Sequence, residues 1–194
     1  MYTILLDSSN TKLAVGLAHN DVMLEVICYE AWQQQSEYMV QELNKLLTKY
    51  EVKNEEIESV MVAVGPGSYT GVRIAITIAK TISVALGIKI YAASSLQVLK
   101  SGKKPSICLI NARSKRSYIG VYENEKVILS DTIMNNTEVL EYIENHPEYV
   151  ICGDTSYLQK EGYISSTIDE MLSLKEFITP NDTSFDVKPV YLKD

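Results

Sequence analysis

The sequence predicts an α/β protein built as two related halves, with mixed sheets flanked by helices. Two observations carry this. Three β-rich pieces, a helix, a strand and a helix follow one another along the chain, and the same succession then recurs in a shorter, weaker form. Residues 59–64, SVMVAV, are apolar at almost every position, as expected of a strand inside a sheet covered on both sides.

Residues 2–7 (YTILLD) form a short apolar run ending in a carboxylate. Residues 12–18 (KLAVGLA) follow a polar turn, and His19-Asn20-Asp21 signals another turn before 22–31 (VMLEVICYEA). Such tight connections predict an antiparallel meander. The pattern then becomes helical over 36–50, with Met39, Leu43, Leu46 or Leu47 and Tyr50 on one face and Ser36 as N-cap. After strand 59–64 come a Gly-rich turn at 65–71, a helix over 72–86 closed by Gly87, a strand at 88–92 and a short helix at 94–100. Residues 101–106 (SGKKPS) combine Gly, Pro and charge without an apolar residue and read as a linker. Strands at 107–112, 117–123 and 126–133, a helix from Thr137 to about His146, a strand at 149–152 and a helix at about 166–173 complete the second half. The expected domains are 1–100 and a reduced 107–194.

Composition narrows the function. The 194 residues are 46% apolar, so a core is available, and a chain of this length buries roughly 70% of its unfolded surface. A net charge of −7 makes the chain a poor main nucleic-acid surface, since duplex binding depends on Lys and Arg neutralising phosphates. Cys28, Cys108 and Cys152 lie far apart in apolar runs and fit neither a disulfide framework nor a metal motif; they read as buried small hydrophobes. The N-terminus has no basic region before Asp7 and reads as a first strand, not a signal peptide. No stretch of roughly 18 residues lacks charges and polar groups as a membrane span requires. A soluble chain in a reducing cytoplasm is the expectation.

Helix 72–86 is the most informative segment. Val72, Ala75, Ala79, Ile82 and Leu86 form one apolar stripe; Ile74, Ile78 and Ala85 form a second, with Ile76 at its edge. Only a narrow stripe of Arg73, Thr77, Lys80 and Val84 is polar or mixed. An ordinary surface helix needs one stripe. Two stripes mean burial on two sides, one against the chain's own sheet and the other against the second half or another protein. A chain this small has little to cover both, which favours a protein interface. Ala75 and Ala79, four apart, would let a partner helix approach closely.

The turn Gly65-Pro66-Gly67-Ser68-Tyr69-Thr70-Gly71 joins a strand to a helix N-terminus, where anions bind. It is neither a Walker A loop nor G-x-G-x-x-G. A tight turn with close backbone packing is the plainer alternative. His19 and His146 fall at turns or helix ends, away from other ligands at metal spacing. No nucleophile and base can be paired. Asp7, at the first strand's end, is either a functional carboxylate or a turn residue.

Strand 59–64 followed by GPGSYTGVRIAITIAKTISVALGI and IYAASSLQVL resembles the TsaB (YeaZ) family, whose members carry a GxGPGSFTGxRxG-like turn and helix and then VSSL. Val64 to Ile74 and Ala93-Ser94-Ser95-Leu96 carry the likeness. Ile4-Leu5-Leu6-Asp7-Ser8-Ser9 is similar to the family's ILAIDTS, Asn111-Ala112-Arg113 with Tyr118 to its DAR…VY, and Pro189-Val190-Tyr191-Leu192-Lys193 to its P-x-YLR. The resemblance implies an actin-like, Hsp70-like (ASKHA) fold of two related subdomains. It also implies a part in making threonylcarbamoyladenosine at adenosine 37 of tRNAs reading ANN codons, as a partner of the transferase TsaD in a complex joined by TsaE. The family pairs through first-domain helices, with itself when alone or with TsaD. On that basis Met39, Leu43, Tyr69, Val72, Arg73, Ala75, Ile76, Ala79 and Lys80 are the expected interface. Asp7, Ser8, Ser9, Gly65, Gly67 and Ser68 are the expected remnant of a phosphate loop. tRNA would be reached only through the complex.

Departures from the family pattern point to a non-catalytic subunit. Where the catalytic relative has His-x-x-x-His, this chain has Gln33-Gln34-Gln35-Ser36-Glu37-Tyr38-Met39, and an amide is a poor metal ligand. Gln35 stands where TsaB proteins usually keep one histidine. Asp7-Ser8-Ser9 lacks the glycine of an ATPase phosphate loop, Asn111 replaces Asp, and the second half is short. The expectation is therefore no catalytic residue, metal or cofactor. The alternatives are an actin-like ATPase or phosphotransferase, disfavoured by the missing glycine, and a peptidase, for which no dyad or H-E-x-x-H exists. Arg113, Lys115 and Arg116 read as a solvated hairpin end or as a contact to tRNA or partner.

Overall fold

In the computed structural model, residues 1–31, 34–102, 104–124, 126–181 and 183–192 are described. Gln33, Lys103 and Lys193, which belong to the glutamine run, the linker and the C-terminal motif, lie outside them.

β1 (Tyr2–Asp7), β2 (Lys12–His19) and β3 (Val22–Glu30) form the expected antiparallel meander. α1 (Gln35–Lys49) leads to β4 (Ile57–Ala63), which pairs parallel to β1. α2 (Tyr69–Leu86) leads to β5 (Lys89–Ala93), parallel to β4. The sheet order is β3-β2-β1-β4-β5. β6 (Ser106–Arg113), β7 (Arg116–Glu123), β8 (Lys126–Asn135), α3 (Asn136–Asn145) and β9 (Val150–Cys152) repeat the plan, with order β8-β7-β6-β9 and only β6–β9 parallel. An antiparallel trio extended by parallel strands, made twice, is the duplicated ASKHA-like α/β architecture. The expected helix at 94–100 is a 3₁₀ turn, Gln97–Leu99. α1 is capped by Gln34 without a side-chain hydrogen bond, not by Ser36.

Alternation along the central strands sorts the core. Ile4, Leu6, Val60 and Val62 point to one face, under α1 and α2; Leu5, Met61 and Ala63 point to the other. That second face is sealed by α4 (Thr167–Ser173), through Ile168, Met171 and then Leu174, all fully buried. Each such side chain contributes about 1.5–3 kcal/mol of burial. α4 falls within the expected second half, 107–194, yet packs on the first sheet. Beyond α4, Asn181 bridges to Ile90, Val187 joins the α2-side core, and the Val190 amide donates to the Val64 carbonyl at 2.7 Å. The physical reason is exposure: a sheet of two-faced apolar strands needs a second cover, which α4 supplies together with Val98.

The junction between the halves is tied. Ser106 donates to the Lys104 carbonyl at 2.8 Å and accepts from the Ser101 amide at 3.1 Å. Lys100 lies 3.9 Å from Glu170 of α4. Asp131 of β8 accepts from Ser94 at 2.5 Å and from the Tyr122 hydroxyl. Within the first half, Ser95 accepts from the Gly65 amide at 2.9 Å. Among the described helices α2 alone is long and apolar enough to span a bilayer, but it carries Arg73 and Lys80 and its inner face is packed on its own sheet.

Candidate functional site: the outer face of α2 and the adjoining cleft

Ser68 caps α2, its hydroxyl accepting from the Gly71 amide at 3.2 Å, and Gly87 closes it in the left-handed conformation. The segment Asp7-Ser8-Ser9 and the Gly-rich turn interlock. The Ser8 hydroxyl donates to the Gly71 carbonyl at 2.7 Å, the Ser68 amide donates to the Ser9 carbonyl at 2.7 Å, and the Asp7 carboxylate accepts from the Ser9 amide at 2.8 Å. A Cβ on Gly67 would stand 2.2 Å from the Ser9 carbonyl oxygen, and one on Gly71 1.9 Å from that of Ser8. These glycines answer to backbone-on-backbone packing.

The expected interface residues divide sharply. Met39, Leu43, Val72, Ala75, Ile76 and Ala79 are buried in the chain's own core. This corrects the reading of Ala75 and Ala79 as a close-approach stripe for a partner: the small side chains let α2 lie on its own sheet, where both have no accessible surface. Arg73 and Tyr69 are exposed, and Lys80 is half-buried. The outer face consists of Arg73, Ile74, Thr77, Ile78, Thr81, Val84 and Ala85, all exposed or half-buried.

Between this face and α1 runs a shallow groove of about 440 Å³, lined by Ser36, Val40, Tyr69, Thr70, Arg73, Ile74, Thr77 and Ile78. Val40 is 53% exposed. It lies off the Met39–Leu43–Leu46 stripe, which is the one signal that could have marked it. At the groove's end Arg73 lies 4.2 Å over the Tyr69 ring and donates from Nε to the Tyr191 hydroxyl at 2.7 Å. That hydrogen bond raises the guanidinium pKa. The Tyr69 and Tyr191 rings stack at 5.2 Å. Tyr191 sits in a segment without periodicity, so only the motif likeness touched it.

A larger cleft of about 710 Å³ opens between the halves. Gly67, Ser68, Thr70 and Gly71 line one side and Asn111, Arg113, Tyr118 and Asp154 the other. The buried Gln35 amide sits here and donates to the Asn10 carbonyl at 3.4 Å. Among the described residues no three His, Cys, Asp or Glu side chains are grouped to hold a metal. The His19 ring packs on Tyr2 at 4.5 Å, and His146 Nδ1 lies 2.8 Å from the Tyr142 carbonyl. Cys108 and Cys152 are buried, but Cys28, on edge strand β3, is exposed, which corrects its reading as a core residue. Arg113 and Lys115 project from the β6–β7 hairpin, where residues 113–115 all have positive φ.

A family model described as "TsaD: tRNA N6-adenosine threonylcarbamoyltransferase" matches residues 26–171. The chain is similar to the tRNA threonylcarbamoyladenosine biosynthesis protein TsaB of Bacillus subtilis (strain 168), at 31% identity over 189 residues, 92% of this chain and 80% of that protein. It is similar to the protein of the same name from Buchnera aphidicola subsp. Schizaphis graminum, at 31% over 93 residues, 45% of this chain and 44% of that one. YeaZ from Pseudomonas aeruginosa shares the fold, with a TM-score of 0.79 at 20% identity over 98% of this chain and 99% of that chain.

Proposed function

This chain belongs to the TsaB (YeaZ) family, and from that premise we propose that it serves tRNA threonylcarbamoyladenosine biosynthesis as a non-catalytic subunit. It pairs with a TsaD-type transferase, recruits TsaE, and reaches tRNA only through that complex. The observation that carries the reading is the outer face of α2: Ile74, Ile78 and Val84 remain partly or largely uncovered by their own chain, beside exposed Val40. Solvent-facing apolar groups gathered in a groove mark a protein contact. Two arrangements support a silent role. Gln35, at the family's histidine position, spends its amide on the Asn10 carbonyl. The serines after Asp7 hold the Gly-rich turn by hydrogen bonds.

The interdomain cleft favours a second reading, an ATPase of the actin-like class, because its size suits a nucleotide. Reconstitution separates the two. Purified TsaD-type and TsaE-type partners, tRNA, ATP and threonylcarbamoyl-AMP are combined with and without this chain. Modified adenosine that forms only in its presence, with no ATP turnover by the chain alone, supports the subunit. Equal modification without the chain rejects it.

A further inference from the structure

We propose that the C-terminal segment is part of the pairing face, and that Arg73, fixed between Tyr69 and Tyr191, receives a carboxylate from an apolar helix of the partner protein; this rests on the pairing reading above. Three observations lead there. First, the guanidinium is already placed. It lies over the Tyr69 ring, 5.9 Å from the Tyr191 ring centre, and its Nε is committed to the Tyr191 hydroxyl. An arginine has five N–H donors, so the terminal ones stay available in a set plane, with much of the side-chain entropy already lost. Second, the tail that brings Tyr191 is anchored in the core. Val187 is 1% exposed and Val190 is hydrogen-bonded to the end of β4. Third, the groove carries a charge of one sign. Among the described residues Arg73 is the single charged one lining it, in a chain of net charge −7. The complement is an apolar helix with an acidic side chain opposite Arg73. Tyr69 and Tyr191 stay 58% and 40% exposed, and exposed Tyr with Arg is the composition of interface hot spots.

The test measures affinity of the full chain for the TsaD-type protein of the same organism, by titration at about 0.05 M and about 0.5 M salt. Wild type is compared with Arg73→Gln, Tyr191→Phe and a chain ending at Val190, each first shown to melt like wild type. Wild-type affinity should fall with salt. Arg73→Gln should bind about tenfold more weakly at low salt and lose the salt dependence, and the shortened chain should do the same. Tyr191→Phe should lose a few-fold. Folded variants that bind as wild type, or an Arg73→Gln chain that keeps the salt dependence, would overturn the proposal while leaving pairing intact. A wild-type chain that binds neither this partner nor itself overturns pairing and this proposal together.

Discussion

On the inner side of α2, Val72, Ala75, Ile76 and Ala79 are at most 4% exposed and lie against β4 and β1. On the outer side Ile74 and Ile78 are half-buried and Val84 is 65% exposed. Alanines and branched side chains together fill the inner face, whereas the outer face mixes Ile74, Ile78 and Val84 with Arg73 and threonines and leaves room for a partner. The difference teaches that an all-round apolar helix in a small chain has one face for folding and one left over.

The largest effect should separate the faces. Ala75→Arg drives an unpaired charge into a site without accessible surface, at a cost of about 3–5 kcal/mol. Thermal melting followed by circular dichroism should show an unfolded chain or a transition lowered by roughly 6–20 °C. A native-like melt would mean that the inner face is loosely packed.

Gly71→Ala sharpens the same point at the start of α2. Alanine normally favours a helix by about 1 kcal/mol. Here its Cβ meets the Ser8 carbonyl oxygen, so the sign should reverse, with about 1–3 kcal/mol lost in urea unfolding. A stabilised variant would show that the interlock of the two segments gives way freely.

Tyr122 belongs to neither face, packing in a separate core cluster, and Tyr122→Phe serves as their control. It removes a buried donor to Asp131 at the junction of the halves, costing about 1–2 kcal/mol. Stability should fall while partner affinity is unchanged. A parallel loss of affinity would mean that pairing depends on the angle between the halves.

The smallest effect concerns Lys175, which reaches Thr3, Asp21 and Glu58 at 2.6–2.9 Å. Burial opposes its charge, and the two carboxylates more than restore it, leaving the pKa raised. The ammonium's contribution is therefore complete below the unfolded lysine value of about 10.4 and fades as pH rises through the higher folded value. Lys175→Met should cost about 1 kcal/mol or less at pH 7. The gap between the two urea curves should close at strongly alkaline pH; a gap constant through that range would remove the ion pairs from the account.

Period and turn chemistry made the strands and three long helices legible, because each is amphipathic or bounded by Gly, Pro or Asn. The sheet pairing of β1 to β3 followed from their tight connections. What stayed hidden is long-range. Residues 174–192 have no periodicity, and their return to β4, β5 and α2 is specified by single contacts such as Val187 in the core and Tyr191 on Arg73. The two-stripe pattern of α2 showed that both faces were apolar, but not which was inner. The polar residues Arg73, Thr77 and Thr81 mark the outer side, and Ala75 and Ala79 belong to the inner one. The Gly-rich turn was legible as a turn, whereas the carbonyls of Ser8 and Ser9 that require its glycines come from a segment some 60 residues away.

Whether the outer face of α2 pairs is read by size exclusion with light scattering on Ile78→Asp beside wild type, each alone and with the TsaD-type protein. Ile78 lines the groove and is half-buried, touching the core cluster only from its outer edge. The variant should melt within a few degrees of wild type yet fail to form the complex, a loss of at least about 2 kcal/mol in affinity. A folded Ile78→Asp chain that pairs as tightly as wild type would contradict pairing through this face.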